Sequence, residues 1–254
     1  MNNDSAVLQI DLGNSSLKWR LMCGEHLLAR GASAAAGSAA PPELPALEIR
    51  PSAALVASVA AEGNEVQLAE QIRRQWALEP WFARSEGETL GLRNSYLRPE
   101  MMGVDRWLAM LGAWYPRRER VCVVDAGSAL TIDIVAANGQ HEGGYILPGS
   151  ALMQRALFRD TQRVRFDEAA TVILEPGTST AEAVCRGAAL AQCGAVKLAL
   201  SLAVTQGATP PGLVVAGGGG QKLIELLGEA AELRPDLVFE GLALATIARP
   251  HNIV

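Results

Sequence analysis

The segment that most constrains the fold is VLQIDLGNSSLKWR, residues 7–20. A short apolar run reaches Asp11, the turn residues Gly13, Asn14 and Ser15 follow, and alternating apolar residues continue the chain. This order predicts a strand, a tight turn and a second strand. Glycine permits the sharp bend and lets backbone N–H groups approach an anion closely.

The side chains of this segment suit a polyphosphate. Asp11 supplies a carboxylate able to hold a hydrated magnesium ion, Ser15 a hydroxyl and Lys18 a cation. Taken alone, the segment is also compatible with an ordinary hairpin, because Asp and Asn are common turn residues.

A second copy of the pattern favours the phosphate interpretation. Residues 121–135, VCVVDAGSALTIDIV, place Asp125, Gly127 and Ser128 between an apolar run and an alternating one. One such unit opens each half of the chain. We therefore predict a duplicated domain, residues 1–120 and 121–254, with the two turns facing each other across a phosphate chain.

Composition excludes several classes of protein. The chain has 254 residues, of which 49% are hydrophobic, so it can bury a real core and is not a disordered chain. A net charge of −5 disfavours nucleic acid as a partner. The first residues lack the features of a signal peptide, and we expect no segment long enough to cross a bilayer. The four cysteines lack CxxC spacing and the three histidines are scattered, so a cytoplasmic protein without a zinc site is predicted.

Two predicted helices begin at residues with candidate functions. Apolar spacing after residue 103 places Asp105 at or just inside a helix start, where Asp is a favoured cap as well as a candidate functional carboxylate. A long apolar helix over about residues 181–205 has Thr180 as its predicted N-cap, and the Thr180 hydroxyl could equally face a ligand.

Other segments are predicted to have supporting roles. A strand, four glycines (Gly217–Gly220) and a helix form a unit whose backbone can approach a phosphorylated or planar ligand. Residues 236–242 are predicted to form a last strand and a short packing helix. The basic cluster of residues 117–120 is interpreted as a solvated loop.

With these motifs in order, the chain resembles type III pantothenate kinases, members of the acetate and sugar kinase/Hsc70/actin superfamily. The resemblance runs from about Val7 to Leu244 and rests on IDLGNSSLKWR, RNSYL, GVDRW, VVDAGSALTID, GGYILPG, GTSTAEAV and AGGGG. The most specific signal is DxGNSxxKW followed by GxDR at residue 103. The same family includes proteins first named Bvg accessory factors.

The resemblance implies an α/β fold of duplicated actin-like (ribonuclease H-like) domains with a central cleft for ATP. It implies phosphorylation of pantothenate to 4′-phosphopantothenate, the first step of coenzyme A biosynthesis. The alternatives are a non-catalytic accessory or regulatory protein with the same fold, or a kinase for another small hydroxy acid. Retention of Asp11, Asp105 and Asp125 argues against the accessory protein.

The resemblance also implies a role for each motif residue. The residues around the ATP phosphates would be Asp11, Gly13, Asn14, Ser15, Lys18 and Ser128. Asp11 would lie near magnesium, and Asp125 would bind a monovalent cation, potassium or ammonium. Asp105 would be the general base, and the pantothenate pocket would be lined by Tyr96, Gly103, Val104, Arg106 and Thr180. Members are typically homodimers in which the partner subunit closes part of that pocket.

Two positions depart from the family pattern. Ser128 stands where the second phosphate motif usually has Thr, so the hydroxyl is kept and the methyl group is lost. Ala216 stands where the adenosine motif usually begins with Thr or Ser, so a hydroxyl is missing there.

Overall fold

A computed structural model of the chain describes residues 5–14, 16–34, 44–161, 163–168, 170–204 and 209–248. The first sheet within them contains β1 (Ala6–Leu12), β2 (Ser16–Cys23), β3 (His26–Ala34), β4 (Ala53–Ser58) and β5 (Trp81–Phe82). Its strand order is β3-β2-β1-β4-β5. β1, β2 and β3 pair antiparallel, whereas β4 and β5 continue the sheet in parallel with β1.

A second sheet repeats this arrangement. Two short strands, β6 (Glu88–Thr89) and β7 (Leu92–Arg93), pair with each other and precede it in the chain. The second sheet contains β8 (Val121–Ala126), β9 (Ala129–Val135), β10 (His141–Pro148), β11 (Gly212–Ala216) and β12 (Glu232–Leu233). The order is β10-β9-β8-β11-β12, and the pairing directions are those of the first sheet. The predicted duplication of an α/β domain is confirmed by this repetition.

The helices of the described residues are α1 (Glu62–Trp76), α2 (Val104–Trp114), α3 (Ser150–Asp160), α4 (Thr180–Ala203), α5 (Gly220–Leu227) and α6 (Leu237–Ile247). α1 shows why such segments are helical: glutamates occupy its first turn, arginines its last, and Leu68, Ile72 and Trp76 form a buried stripe. α1 packs on the first sheet, whereas α4 and α5 pack on the second.

The chain forms two compact units, and their residue ranges differ from those of the predicted domains. The described residues of Met1–Leu90, Tyr96–Gly112 and Leu237–Val254 form unit 1, and those of Gly91–Ser95 and Ala113–Asp236 form unit 2. The C-terminal helix belongs to unit 1 because its Gly241 lies directly against the Leu108 carbonyl of α2. A cation–π contact adds to this, since the Arg20 guanidinium lies 5.0 Å from the Phe239 ring centroid. The predicted boundary between residues 120 and 121 misses this return of the chain.

Three local predictions also need correction. The stretch over residues 236–242 begins α6 and contains no strand, because its nearly continuous apolar sequence is buried as a helix. The N-cap of α4 is Ser179, whose hydroxyl accepts the Glu182 N–H. Arg117, Arg118 and Arg120 are engaged rather than simply solvated: they pair respectively with Glu232, the faces of Trp114 and Tyr115, and Glu142.

Helix α4 also corrects the expectation about bilayer-spanning segments. By length and composition it is apolar enough to cross a membrane. Cys193, Val196 and Ala199 of this helix are buried in the core of the second sheet. A long apolar helix with such a packed face is typical of a protein core.

Candidate active site

The first turn joins β1 to β2. Asp11 is half-buried near the end of β1, and its cross-strand partner is Lys18. The Gly13 N–H donates to the Ser16 carbonyl over 2.9 Å, which closes the turn. Asn14 is exposed at its tip, whereas Ser15 lies outside the described residues. The turn therefore places a carboxylate opposite a cation at one end of a strand pair.

Asp105 is the second residue of α2 and is half-buried. Its Oδ1 accepts the Arg106 N–H over 2.7 Å, so the carboxylate satisfies one of the unpaired N–H groups of the first helical turn. A Cβ at Gly103 would lie 2.6 Å from the same oxygen, and this explains glycine at that position. Since a carboxylate has two oxygens, stabilising the helix start and accepting a proton are compatible roles.

Tyr96 and Arg106 form a pair beside Asp105. The Arg106 guanidinium donates to the Tyr96 hydroxyl over 2.9 Å and lies 5.8 Å from the ring centroid. Arg106 is 5% exposed, so its cation is held in a nearly water-free position. A buried guanidinium of this kind is suited to binding a carboxylate ligand.

The first turn and the start of α2 lie at the same edge of the first sheet. The residue after β4, Val59, donates its N–H to the Leu12 carbonyl over 3.1 Å. The Cβ position of Gly103 is 3.9 Å from Val59 Cγ1. Val59 therefore connects the end of β1, which carries Asp11, to the segment that carries Asp105.

The second turn joins β8 to β9 and packs against two glycine-containing segments. A Cβ at Gly217, where φ is +83°, would overlap Asp125 Oδ1. The Gly219 N–H donates to the Ala126 carbonyl over 2.9 Å, and the Gly149 N–H donates to the Ser128 carbonyl over 3.0 Å. Asp125 is half-buried within this cradle, whereas Ser128 is exposed at the turn.

Thr180 is the first residue of α4 and is exposed. The segment before it is fixed by Glu182, whose Oε2 accepts the Thr178 N–H over 2.8 Å and the Thr178 hydroxyl over 3.0 Å. Those hydrogen bonds, together with the Arg186 cation, hold the pKa of the Glu182 carboxyl below its usual value. The position of Thr180 is thus set by a network at the helix N-terminus.

The structure groups the predicted residues within each unit. In unit 1, Asp11 and Lys18 are paired, and Gly103, Val104, Asp105, Arg106 and Tyr96 are clustered; in unit 2, Asp125 and Ser128 share a turn. Sequence reasoning missed that Gly149 and Gly217 are packed against the second turn. Pro148-Gly149 and the glycine run were the available signals, but neither identifies its packing partner.

The described residues contain no group of three or more His, Cys, Asp or Glu side chains arranged to hold a metal ion. Magnesium bound beside phosphate groups is usually held by one or two carboxylates together with phosphate oxygens and water, so the single carboxylate of the first turn, Asp11, fits that chemistry.

Comparisons with known proteins agree with these motifs. The family model for type III pantothenate kinase matches residues 7–201. The chain is 37% identical over 246 residues to a type III pantothenate kinase of Pseudomonas aeruginosa (strain LESB58), covering 94% of this chain and 98% of that protein. It is 36% identical over 250 residues to that of Pseudomonas fluorescens (strain SBW25), with the same coverage.

Solved structures support the fold. A Campylobacter jejuni protein proposed to be a Baf family transcriptional activator has a TM-score of 0.56 at 23% identity, covering 93% of this chain and 95% of that one. A Sinorhizobium meliloti protein proposed to be a 2-dehydro-3-deoxygalactonokinase has a TM-score of 0.58 at 17% identity, covering 96% and 100%. The predicted fold class of duplicated actin-like domains is confirmed. From the family match and the extent of the identity, the chain belongs to the type III pantothenate kinase family.

Proposed function

We propose that this protein transfers the γ-phosphoryl group of ATP to the primary hydroxyl of pantothenate, forming 4′-phosphopantothenate for coenzyme A biosynthesis. The observation that carries the proposal is the cluster at the start of α2, where Asp105 lies beside the buried Arg106–Tyr96 pair. A carboxylate next to a buried cation suits a substrate that has both a hydroxyl and a carboxylate, and pantothenate has both.

Asp105 acts as the general base. Phosphoryl transfer passes through a loose transition state, so the hydroxyl needs to be oriented and to lose its proton late in the reaction. The Arg106 N–H holds Asp105 Oδ1 and thereby fixes the direction of the carboxylate. Arg106, Tyr96, Gly103, Val104 and Thr180 bind pantothenate.

The two turns bind ATP and its cations. We assign phosphate binding to Asp11, Gly13, Asn14, Ser15 and Lys18 of the first turn and to Ser128 of the second. Asp11 would hold magnesium, and Asp125 would hold a monovalent cation, potassium or ammonium. When bound, these cations neutralise charge on the triphosphate. Lys18, opposite Asp11, adds a fixed positive charge to the same end of the strand pair.

The test is phosphorylation of pantothenate by the purified protein with magnesium-ATP, first in potassium and then in sodium alone. We expect 4′-phosphopantothenate to form in potassium, to fall in sodium, and to vanish when EDTA removes magnesium. A panel of other small hydroxy acids is measured in parallel. Preference for another acid, or no turnover by the folded protein in either salt, would contradict the proposed substrate.

We also propose that the protein is a homodimer that associates through the α3–α4 surface, defined by Leu152, Leu157, Leu190, Leu198 and Leu202. All five leucines are between 40% and 61% exposed. α3 has no buried residue, and Leu190, Leu198 and Leu202 repeat at multiples of four along α4. Exposed leucines grouped in this way are typical of a protein interface.

The test of this surface is light scattering after size exclusion. We expect the wild type to be a dimer and Leu198→Glu to be a monomer. A Leu198→Glu protein with the mass of the wild type would contradict the assignment of this surface.

A further inference from the structure

Three polar residues of unit 2 form a chain of hydrogen bonds, and none of them has a role among the site residues assigned above. His141 Nε2 lies 3.0 Å from Asp133 Oδ1, and His141 Nδ1 lies 2.8 Å from Ser95 Oγ. His141 is 1% exposed and Asp133 is 2% exposed, whereas Ser95 is exposed. Two buried polar side chains are thus linked by hydrogen bonds to a serine on the surface.

The direction of these hydrogen bonds follows from the donors available. A carboxylate only accepts, so Nε2–H donates to Asp133, and in that tautomer Nδ1 is the acceptor for the Ser95 hydroxyl. Asp133 therefore selects the tautomer, and that tautomer selects the orientation of Ser95. Burial, together with the nearby Asp133 side chain, raises the pKa of the Cys122 thiol to about 12.

Ser95 is the last residue of a segment that is anchored at several points. We call Gly91–Ser95 the anchored segment. The Arg93 N–H donates to the Gly139 carbonyl over 2.8 Å. A Cβ at Gly139, where φ is +84°, would overlap the Gly91 carbonyl, so the two backbones are in close contact. The anchored segment consequently belongs to unit 2, although the residues on both sides of it belong to unit 1.

The residue that follows the anchored segment is Tyr96, which bonds to Arg106. Fixing Ser95 therefore fixes the backbone from which the Tyr96 side chain extends. We propose that Asp133 and His141 are positioning residues that hold Ser95, and through it Tyr96, in place for pantothenate. This inference rests on the proposed function, because it assigns to these residues an effect on the same pocket.

The decisive variant is Ser95→Ala, which removes the hydroxyl at an exposed position. We expect the KM for pantothenate to rise about 3- to 10-fold, the effect of losing one hydrogen bond. The kcat and the KM for ATP should stay within about twofold, because substrate positioning rather than phosphoryl transfer is affected. Ser95→Thr keeps a hydroxyl and should restore the KM.

A matched control is Ser52→Ala, which removes another exposed serine hydroxyl, one that donates to the Ala6 carbonyl in the first sheet. It should leave the KM for pantothenate unchanged. A second readout is independent of activity: backbone hydrogen exchange of peptides covering residues 91–97, measured by mass spectrometry. We expect faster exchange in Ser95→Ala than in the wild type and in Ser95→Thr.

The outcomes separate the inference from the proposed function. An unchanged KM for pantothenate together with unchanged exchange in Ser95→Ala would overturn the inference. A KM that rises equally in Ser95→Thr, or a kcat that falls with it, would also overturn it. A wild type that exchanges slowly over residues 91–97 but never phosphorylates pantothenate would overturn the proposed function and the assigned substrate. In that case, hydrogen exchange of Ser95→Ala still decides whether Asp133 and His141 hold the anchored segment.

Discussion

The two sheets have the same strand order and the same pairing directions, yet their turns differ chemically. Each turn follows a strand whose second-to-last residue is an aspartate, Asp11 in β1 and Asp125 in β8. Lys18 lies opposite Asp11, whereas Thr131 lies opposite Asp125. The first turn is also one residue longer, because Leu12 pairs with Leu17 while Ala126 pairs with Leu130.

The neighbouring parallel strands differ at the same level. Ala57 lies beside Asp11 and is followed by Ser58, whereas Ala216 lies beside Asp125 and is followed by Gly217. Only a residue without a side chain fits against Asp125, since a Cβ at Gly217 would overlap its Oδ1. The repeated backbone therefore places two carboxylates alike, and the side chains around them give one turn a cation and the other a close-packed cradle.

The largest expected effect concerns Asp105, a carboxylate of unit 1 outside both turns. Asp105→Asn should lower kcat by a factor of about 10² to 10⁴, the usual contribution of a general base. Asparagine can still accept the Arg106 N–H, so the melting temperature should stay close to that of the wild type. The exposed carboxylate Glu70→Gln serves as a control with normal kcat. Nearly full activity of a folded Asp105→Asn protein would show that catalysis depends on the turns alone.

The next effect tests the cross-strand partners. Lys18→Ala should raise the KM for ATP about 10- to 100-fold, because a hydrogen bond to a charged group contributes ~1.5–3 kcal/mol. Thr131→Ala, the change at the equivalent position opposite Asp125, should alter the same constant less than about threefold, as expected for a neutral group. Equal losses in steady-state kinetics would show that the two turns are chemically equivalent and would break the comparison.

A smaller effect is expected at Gly217. Gly217→Ala forces a Cβ toward Asp125 at a positive φ, so the free energy of unfolding should fall by about 1–2 kcal/mol. The potassium concentration for half-maximal activity should rise, and Asp125→Asn should shift it in the same direction. Gly218→Ala is the matched control, because no heavy atom beyond Gly218 and its two chain neighbours lies within 4 Å of the added Cβ. Identical potassium titrations for Gly217→Ala and Gly218→Ala would show that the packing around Asp125 does not affect activation by potassium.

The smallest effect concerns Ser128. Ser128→Thr keeps the hydroxyl and adds only a methyl group at an exposed position, so kcat and the KM for ATP should change less than about twofold. Ser128→Ala should raise the KM for ATP about three- to tenfold, the effect of losing one hydrogen bond. If Ser128→Ala behaved like Ser128→Thr, the second turn would bind ATP through its backbone and not through this hydroxyl.

Local sequence patterns determined much of this protein. Alternation and apolar runs identified β1, β2, β8 and β9, and the turn residues placed Asp11 and Asp125 correctly at the strand ends. The helical period after residue 103 placed Asp105 in the first turn of α2. These features depend on residues that are close together in the sequence, so periodicity and turn preferences are enough to predict them.

Other features were decided only by the tertiary structure. The return of α6 to unit 1 depends on close packing of Gly241 against Leu108, and nothing near residue 241 specifies that partner. Ser95 and His141 are 46 positions apart, and the histidine alone gave no sign of its partners. Contacts of this kind arise when folding brings distant segments together, so a pattern with a period of a few residues cannot contain them. The sequence determined which side chains the two turns and the start of α2 carry, and the tertiary structure decided which residues hold those side chains in place.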